Sequence, residues 1–161
     1  MKTSPGRSAQ NGFSLIELLI VVAIILIIAA IAIPSLMKSK MAANEASAAE
    51  SVRTLTTGET TYSSLCPNIG YSATLSELST GAICAAGQAV NDNVLTSGNK
   101  SGYQFAYAPT AVGGLNTAFT VVATPWTVGV TGQRGFYSDQ TAVVRYTSDG
   151  SAPTAASSPL Q

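Results

Sequence analysis

From Leu15 to Ile33 the chain runs nineteen residues in which Glu17 is the only side chain that is not apolar. A run of that length matches the ~20 residues a helix needs to cross a bilayer. A carboxylate inside hydrocarbon is costly, so an acid at this place marks a functional position by default. Any fold this chain adopts must house the run in lipid or against other protein, and must give Glu17 a use.

At 161 residues there is room for one membrane helix and one modest domain. Charged residues make up 10% of the chain, against the ~25% of ordinary soluble proteins. The formal charge is zero, and the remainder after the apolar run is rich in Ser, Thr, Ala and Gly. Bulk charge therefore gives no support to direct nucleic-acid binding. No histidine is present, which removes the commonest general base and metal ligand. The eight carboxylates are scattered, and no nucleophile motif accompanies them. An enzyme is the least supported class, and no cofactor is expected.

Residues 1–12 carry Lys2 and Arg7, contain no acid, and include Pro5, Gly6 and Gly12. They read as the charged leading region of a targeting sequence. One reading makes the apolar run a secretory signal, with Ala30 and Ala32 giving an A-x-A-like cut before Ser35. The run exceeds the 7–15 residues of a signal core and holds an acid, which favours a retained anchor. Lys38, Lys40 and Arg53 follow the run, so charge counting alone leaves the orientation open. The two cysteines, Cys66 and Cys84, point to an oxidising compartment downstream and to one disulfide. Closing a loop of about 19 residues contributes roughly 3 kcal/mol on the chain-entropy model.

Beyond the run, Pro34 lacks an N–H and is expected to kink or locally open a helix. The helical pattern resumes from Leu36 to about Leu65, with Ala48, Val52, Leu55 and Tyr62 on one packing face. On this reading Asn44, Glu45, Glu50, Arg53 and Glu59 lie mainly on other faces, and Gly58 weakens the helix end. One helix of some fifty residues would be roughly 75 Å long. Cys66-Pro67 ends it, and a loop-rich stretch holds Cys84 and a short helix near Leu75 to Leu78. From Gly102 the period becomes two: Tyr103 to Tyr107, Ala118 to Ala123, Gly135 to Ser138 and Ala142 to Tyr146, the last two flanking a turn at Asp139-Gln140. The fold class is thus α+β, a long amino-terminal helix (a transmembrane half and an amphipathic half) packed on an antiparallel sheet of about four strands. The Ser/Ala/Pro-rich tail, 148–161, is expected to be mobile.

Gly12-Phe13-Ser14-Leu15-Ile16-Glu17, the short basic leader and Pro34 together resemble type IV pilins and the related type II secretion pseudopilins. The resemblance covers about Lys2 to Lys40. It implies a leader, 1–12, cut between Gly12 and Phe13 by prepilin peptidase, with N-methylation of Phe13. It implies an assembly helix at 13–36, its amphipathic continuation at 37–65, a disulfide-stapled loop at 66–101, a sheet at 102–147 and the tail. The partners it implies are the peptidase, an inner-membrane assembly platform, the bilayer before assembly, and further copies of related subunits in a helical homopolymer. The destination it implies is a surface filament, reached from a single-pass precursor in the bacterial inner membrane. Glu17 would pair with the Phe13 amine of a neighbouring subunit and set the axial register, and Pro34 would let the helix open on packing.

No metal centre is expected. Asp139 and Asp149 are the residues that a calcium loop like those of major pseudopilins would use, and each is also an ordinary turn former. Asn99-Lys100-Ser101 fits the glycosylation pattern, Ser157 and Ser158 are further modification candidates, and the aromatics read as core. Three function classes stay open: a pilus subunit, a secretion pseudopilin, and a membrane-tethered binding domain that never polymerises.

Overall fold

The computed structural model describes residues 13–80 and 89–160. Residues Met1–Met37 and Lys38–Gln161 form two compact units. One helix, α1, Leu15–Leu65, contributes to both. Its helical assignment continues through Pro34, whose missing N–H leaves the carbonyl of Ala30 without its usual intrahelical donor.

In the first unit the large apolar side chains from Leu15 to Ile33 are all exposed, from Leu15 at 77% to Val22 at 47%. Covering a Leu, Ile or Val of this kind is worth ~1.5–3 kcal/mol each. The segment passes by length and composition as a membrane span, and none of it is buried within the chain.

The second unit contains a closed core. Along α1 the buried positions Glu45, Ala48, Val52, Leu55, Glu59 and Tyr62 recur at alternating steps of three and four, and buried Cys66 extends the series past the helix end. Ala49, Ser51, Thr56 and Gly58 beside them are buried too, which widens the series to the broad stripe of a helix packed on a core. Glu45 and Glu59 thus lie on the packed face and not on other faces, because each carboxylate is satisfied by partners from outside the helix. Asn44 is half-buried and also bonded to the sheet side, whereas Glu50 and Arg53 are exposed and pair with each other at 3.4 Å. Gly58 is buried where Val90 crosses the helix, so it marks a close approach and not a weak end.

After α1 come two single-turn helices, α2, Glu77–Thr80, and α3, Asn93–Thr96. The first lies close to its expected place. The second is capped by Asp92, whose carboxylate accepts the Leu95 amide at 2.9 Å and pairs with Lys100 at 2.7 Å.

The sheet has six antiparallel strands in chain order: β1, Asn99–Lys100; β2, Tyr103–Val112; β3, Leu115–Pro125; β4, Gly135–Asp139; β5, Arg145–Thr147; and β6, Ser158–Pro159. The first three expected strands are found in β2, β3 and β4; the fourth, expected over Ala142 to Tyr146, begins only at Arg145, since Ala142 takes a positive φ of 61° in the connection, and the additional two are two-residue edge strands too short to show a period. Register sets Tyr103 against Pro125 and Phe105 against Ala123, while Val121 faces Ser138 and Ala123 faces Phe136. The inner face therefore stacks aromatics. Tyr71 meets Phe119 edge-on at 4.7 Å, and Tyr103 lies 6.0 Å from Phe136.

The tail differs from expectation. Asp149 caps a turn, Pro153 is buried, β6 pairs with β5, and the Leu160 amide donates to the Val144 carbonyl at 2.8 Å. Leu160 packs against the core, which supplies the apolar contact that composition alone concealed.

Candidate processing and assembly site

Phe13 and Ser14 precede the first helical residue, and Phe13 is 88% exposed. The Ser14 carbonyl accepts the Leu18 amide at 3.3 Å, which places Ser14 at the helix N-cap. Three residues on, Glu17 turns back and its Oε2 accepts the Ser14 amide at 3.0 Å. This is the glutamate half of a capping box. The Ser-x-x-Glu spacing that signals it is present in the sequence at Ser14 and Glu17. Glu17 also stands in the first turn, where the helix dipole favours an anion.

The arrangement gives Glu17 a local partner on Ser14, one residue past Phe13. Gly12 lies outside the described residues.

The other expected site residues disperse. Pro34 lies within α1, nineteen residues past the helix start. Cys66 caps the far end of α1: its amide donates to Tyr62, and its carbonyl accepts Ile69 and Gly70, each at 3.0 Å. Cys66 is buried and is not a free thiol. Cys84 falls outside the described residues.

Asp139 and Asp149 each serve their own turn. Asp139 accepts the Thr141 amide and hydroxyl at 2.9 and 2.5 Å, and the Tyr137 hydroxyl at 3.2 Å. Burial pushes its carboxyl up, but the Thr141 and Tyr137 donors outweigh that and hold it below its ordinary range. Asp149 accepts the Ser151 amide and hydroxyl at 3.0 and 2.6 Å. Among the described residues no group of three or more His, Cys, Asp or Glu converges on a metal position. Asn99 and Ser158 are exposed, Ser157 is half-buried, and Ser101 meets Ser47 at 2.8 Å.

Two carboxylates that sequence reading left on the surface organise the second unit. Glu45 accepts the amides of Gln133 and Arg134 at 2.7 and 3.2 Å and the Arg134 Nε at 2.7 Å. Burial pushes its carboxyl up, but the Gln133 amide and the Arg134 side chain hold it below the ordinary value. Glu59, fully buried, accepts the Ser72 amide at 2.9 Å and its hydroxyl at 2.5 Å. The Tyr107 hydroxyl closes this network onto the Ser72 carbonyl at 2.8 Å. No sequence signal separates these two glutamates from solvated ones except their place in the three-four series.

Residues 7–33 match the family model described as the prokaryotic N-terminal methylation motif, the signature of type IV pilin and pseudopilin precursors. No curated protein and no solved structure matches the chain.

Proposed function

We propose that this chain, a bearer of the prepilin signature, is the structural subunit of a type IV pilus. It is held in the bacterial inner membrane by α1, cut between Gly12 and Phe13, methylated on the Phe13 amine and polymerised through the apolar half of α1. The observation that carries this reading is the first unit itself: an uncovered apolar helix whose one acid sits in the first turn, beside the residue that becomes the amino terminus. The second unit completes its core from α1 beyond Asn44 and the sheet, so the exposed residues 15–33 are left for lipid first and for other copies afterwards.

Peptide hydrolysis by prepilin peptidase frees the Phe13 amine, and a methyl group is then added to that nitrogen. In the membrane Glu17 holds the Ser14 amide, a neutral donor. On assembly the cationic Phe13 amine of an adjacent copy offers a charged donor, which makes a hydrogen bond about twice as strong. Leaving either charge unpaired among packed apolar helices costs ~3–5 kcal/mol, so only the register that brings them together is favourable. Pairing of Cys66 with Cys84 belongs to the same reading, since the second unit would then mature on the extracytoplasmic side. Surface adhesion, motility or DNA uptake would be a property of the fibre. A catalytic role draws no support from a chain without histidine and with its buried carboxylates engaged in structural bonds.

The test is a strain whose only copy encodes Glu17→Ala. Mass spectrometry of the mature terminus is expected to begin at methylated Phe13, while electron microscopy of sheared material shows few or no fibres. Abundant fibres from that strain overturn the role of Glu17, and a mature terminus near Ser35 restores a secreted protein. Wild-type fibres that appear only on overexpression of a secretion system would assign the chain to the pseudopilins. A wild-type chain that stays in the membrane under all conditions would make it a tethered domain.

A further inference from the structure

Ser72 and Ala73 are neighbours in the chain, yet their amides are held by two different carboxylates. Glu59 on α1 accepts the Ser72 amide at 2.9 Å, and Glu77 on α2 accepts the Ala73 amide at 2.8 Å. Glu59 is fully buried and Glu77 half-buried. Among the described residues neither has a cation to balance it. Arg53, Lys100 and Arg134 pair with Glu50, Asp92 and Glu45, and Arg145 donates to the Ser157 carbonyl. Lys38 and Lys40 lie about five turns back along α1, and residues 81–88 contain no charged side chain.

The other groups facing Glu59 are neutral. Tyr62, one turn on along α1, reaches Glu77 with its hydroxyl at 3.5 Å, β2 supplies the Tyr107 hydroxyl, and the helix meets Val90 at Gly58. Two carboxylates joined through adjacent amides without a cation resist ionising together, and the buried one is the one that keeps a proton. The network takes that proton without orphaning a donor. Protonated Oε1 of Glu59 can donate to Ser72 Oγ across 2.5 Å, Ser72 Oγ to the Tyr107 hydroxyl oxygen at 3.2 Å, and the Tyr107 hydroxyl to the Ser72 carbonyl at 2.8 Å. Burial is the largest influence on the Glu59 carboxyl and, against the Ser72 donors, leaves it above its ordinary range.

We propose that Glu59 is a proton-operated latch on residues 72–80, closed while it holds a proton and loosened when it ionises beside Glu77. What the latch covers is apolar. Leu75 and Leu78 are buried, and Leu75 shares a cleft with Phe105 and Tyr107. The upstream boundary is firm, because the Tyr71 amide donates to the Asn116 carbonyl at 3.0 Å and the Asn116 side chain donates back at 2.9 Å. Downstream, the Leu78 carbonyl accepts the Ala89 and Val90 amides, each at 2.9 Å, so loosening passes to the segment that crosses Gly58. Acid thus closes the cleft and rising pH opens it by local, not global, unfolding. The latch lies wholly in the second unit and stands apart from the pilus reading.

The chain 13–161 is taken in detergent micelles with its glutamate carboxyl carbons labelled, so that NMR reads the Glu59 proton directly. Amide exchange, corrected for its intrinsic pH dependence, is followed over 72–80 and, for reference, at Val121 and Ala123 of β3. As Glu59 ionises, protection over 72–80 is expected to fall by up to about tenfold per pH unit, the limit for one proton, while β3 keeps its own. Glu59→Gln, which copies the protonated acid, is expected to hold 72–80 closed at every pH. Glu77→Gln is expected to move the Glu59 midpoint to lower pH. A Glu59 carboxyl that titrates at its ordinary value overturns the latch. So does protection over 72–80 that falls only in step with β3, or a pH dependence that survives in Glu59→Gln. If that variant does not fold, the wild-type midpoint and the exchange contrast decide the matter.

Discussion

Glu59 on α1 takes both hydrogen bonds that Ser72 has to give, from the amide at 2.9 Å and from the hydroxyl at 2.5 Å, with no exposure to solvent. Burial is the largest influence on this carboxyl and raises it; the Ser72 and Tyr107 donors pull it back in part, and Glu77 adds to the rise. A folded-state value above the unfolded ~4.3 means that the folded chain binds the proton more tightly. The contribution of Glu59 is then full below the unfolded value and is lost as pH rises through the folded one. Glu59→Gln, which keeps an acceptor without the charge, is expected to gain on the wild type as pH rises from acid to neutral. Melting curves at several pH values check this, and a difference that stays flat with pH rules it out.

Glu45 should behave in the opposite sense. Its folded-state carboxyl lies below the ordinary value, so its contribution is present above the unfolded value and lost as pH falls through the folded one. Glu45→Ala strands the Gln133 and Arg134 amides, at a cost of about 1–3 kcal/mol near neutral pH. Denaturant titration is expected to show that loss, and to show it shrinking in acid.

Gly58 invites a substitution that helix propensity favours, since Ala gains ~1 kcal/mol over Gly in a helix. A Cβ at this site overlaps the Val90 side chain, so Gly58→Ala is expected to lower the melting temperature instead. Adding Val90→Ala should recover much of the loss. A stable single variant would mean that the 89–90 segment moves aside freely.

If Cys66 is paired with Cys84, reduction of the folded chain should cost roughly 3 kcal/mol by the loop-closure argument. Thermal melts with and without a thiol reductant measure it. Non-reducing mass spectrometry should find both cysteines in one peptide pair. An unchanged melt together with free Cys84 removes the staple from the account.

How far the sequence carried the reader depends on the kind of signal. The apolar run to Ile33 and the alternation in Tyr103–Tyr107 and Ala118–Ala123 are long and periodic, so the helix and the first strands emerged where expected, whereas the strand after Asp139 starts at Arg145 and not at Ala142. The prepilin motif is a local pattern of six residues and is read directly. What escaped depends on tertiary pairing. Glu45 and Glu59 look like solvated helix residues until Gln133, Arg134 and Ser72 are brought to them from elsewhere in the chain. Strands β1 and β6 exist through their partners, and the tail through Leu160. Ser14 and Glu17 are the exception, a purely local capping pair that the spacing already contained.

The edges of the sheet bear on a danger any polymerising subunit faces. Exposed strand edges are templates for indiscriminate cross-β association, which is the failure that crowding of identical chains most encourages. Here β1 pairs only with Tyr103 and Gln104, so the rest of β2 forms one edge, where Pro109 offers no amide donor; the other edge is the two-residue β6, which carries Pro159. Proline contributes no ladder donor. Each outer edge therefore holds a residue that breaks the run of donors along which identical heads would otherwise zip together.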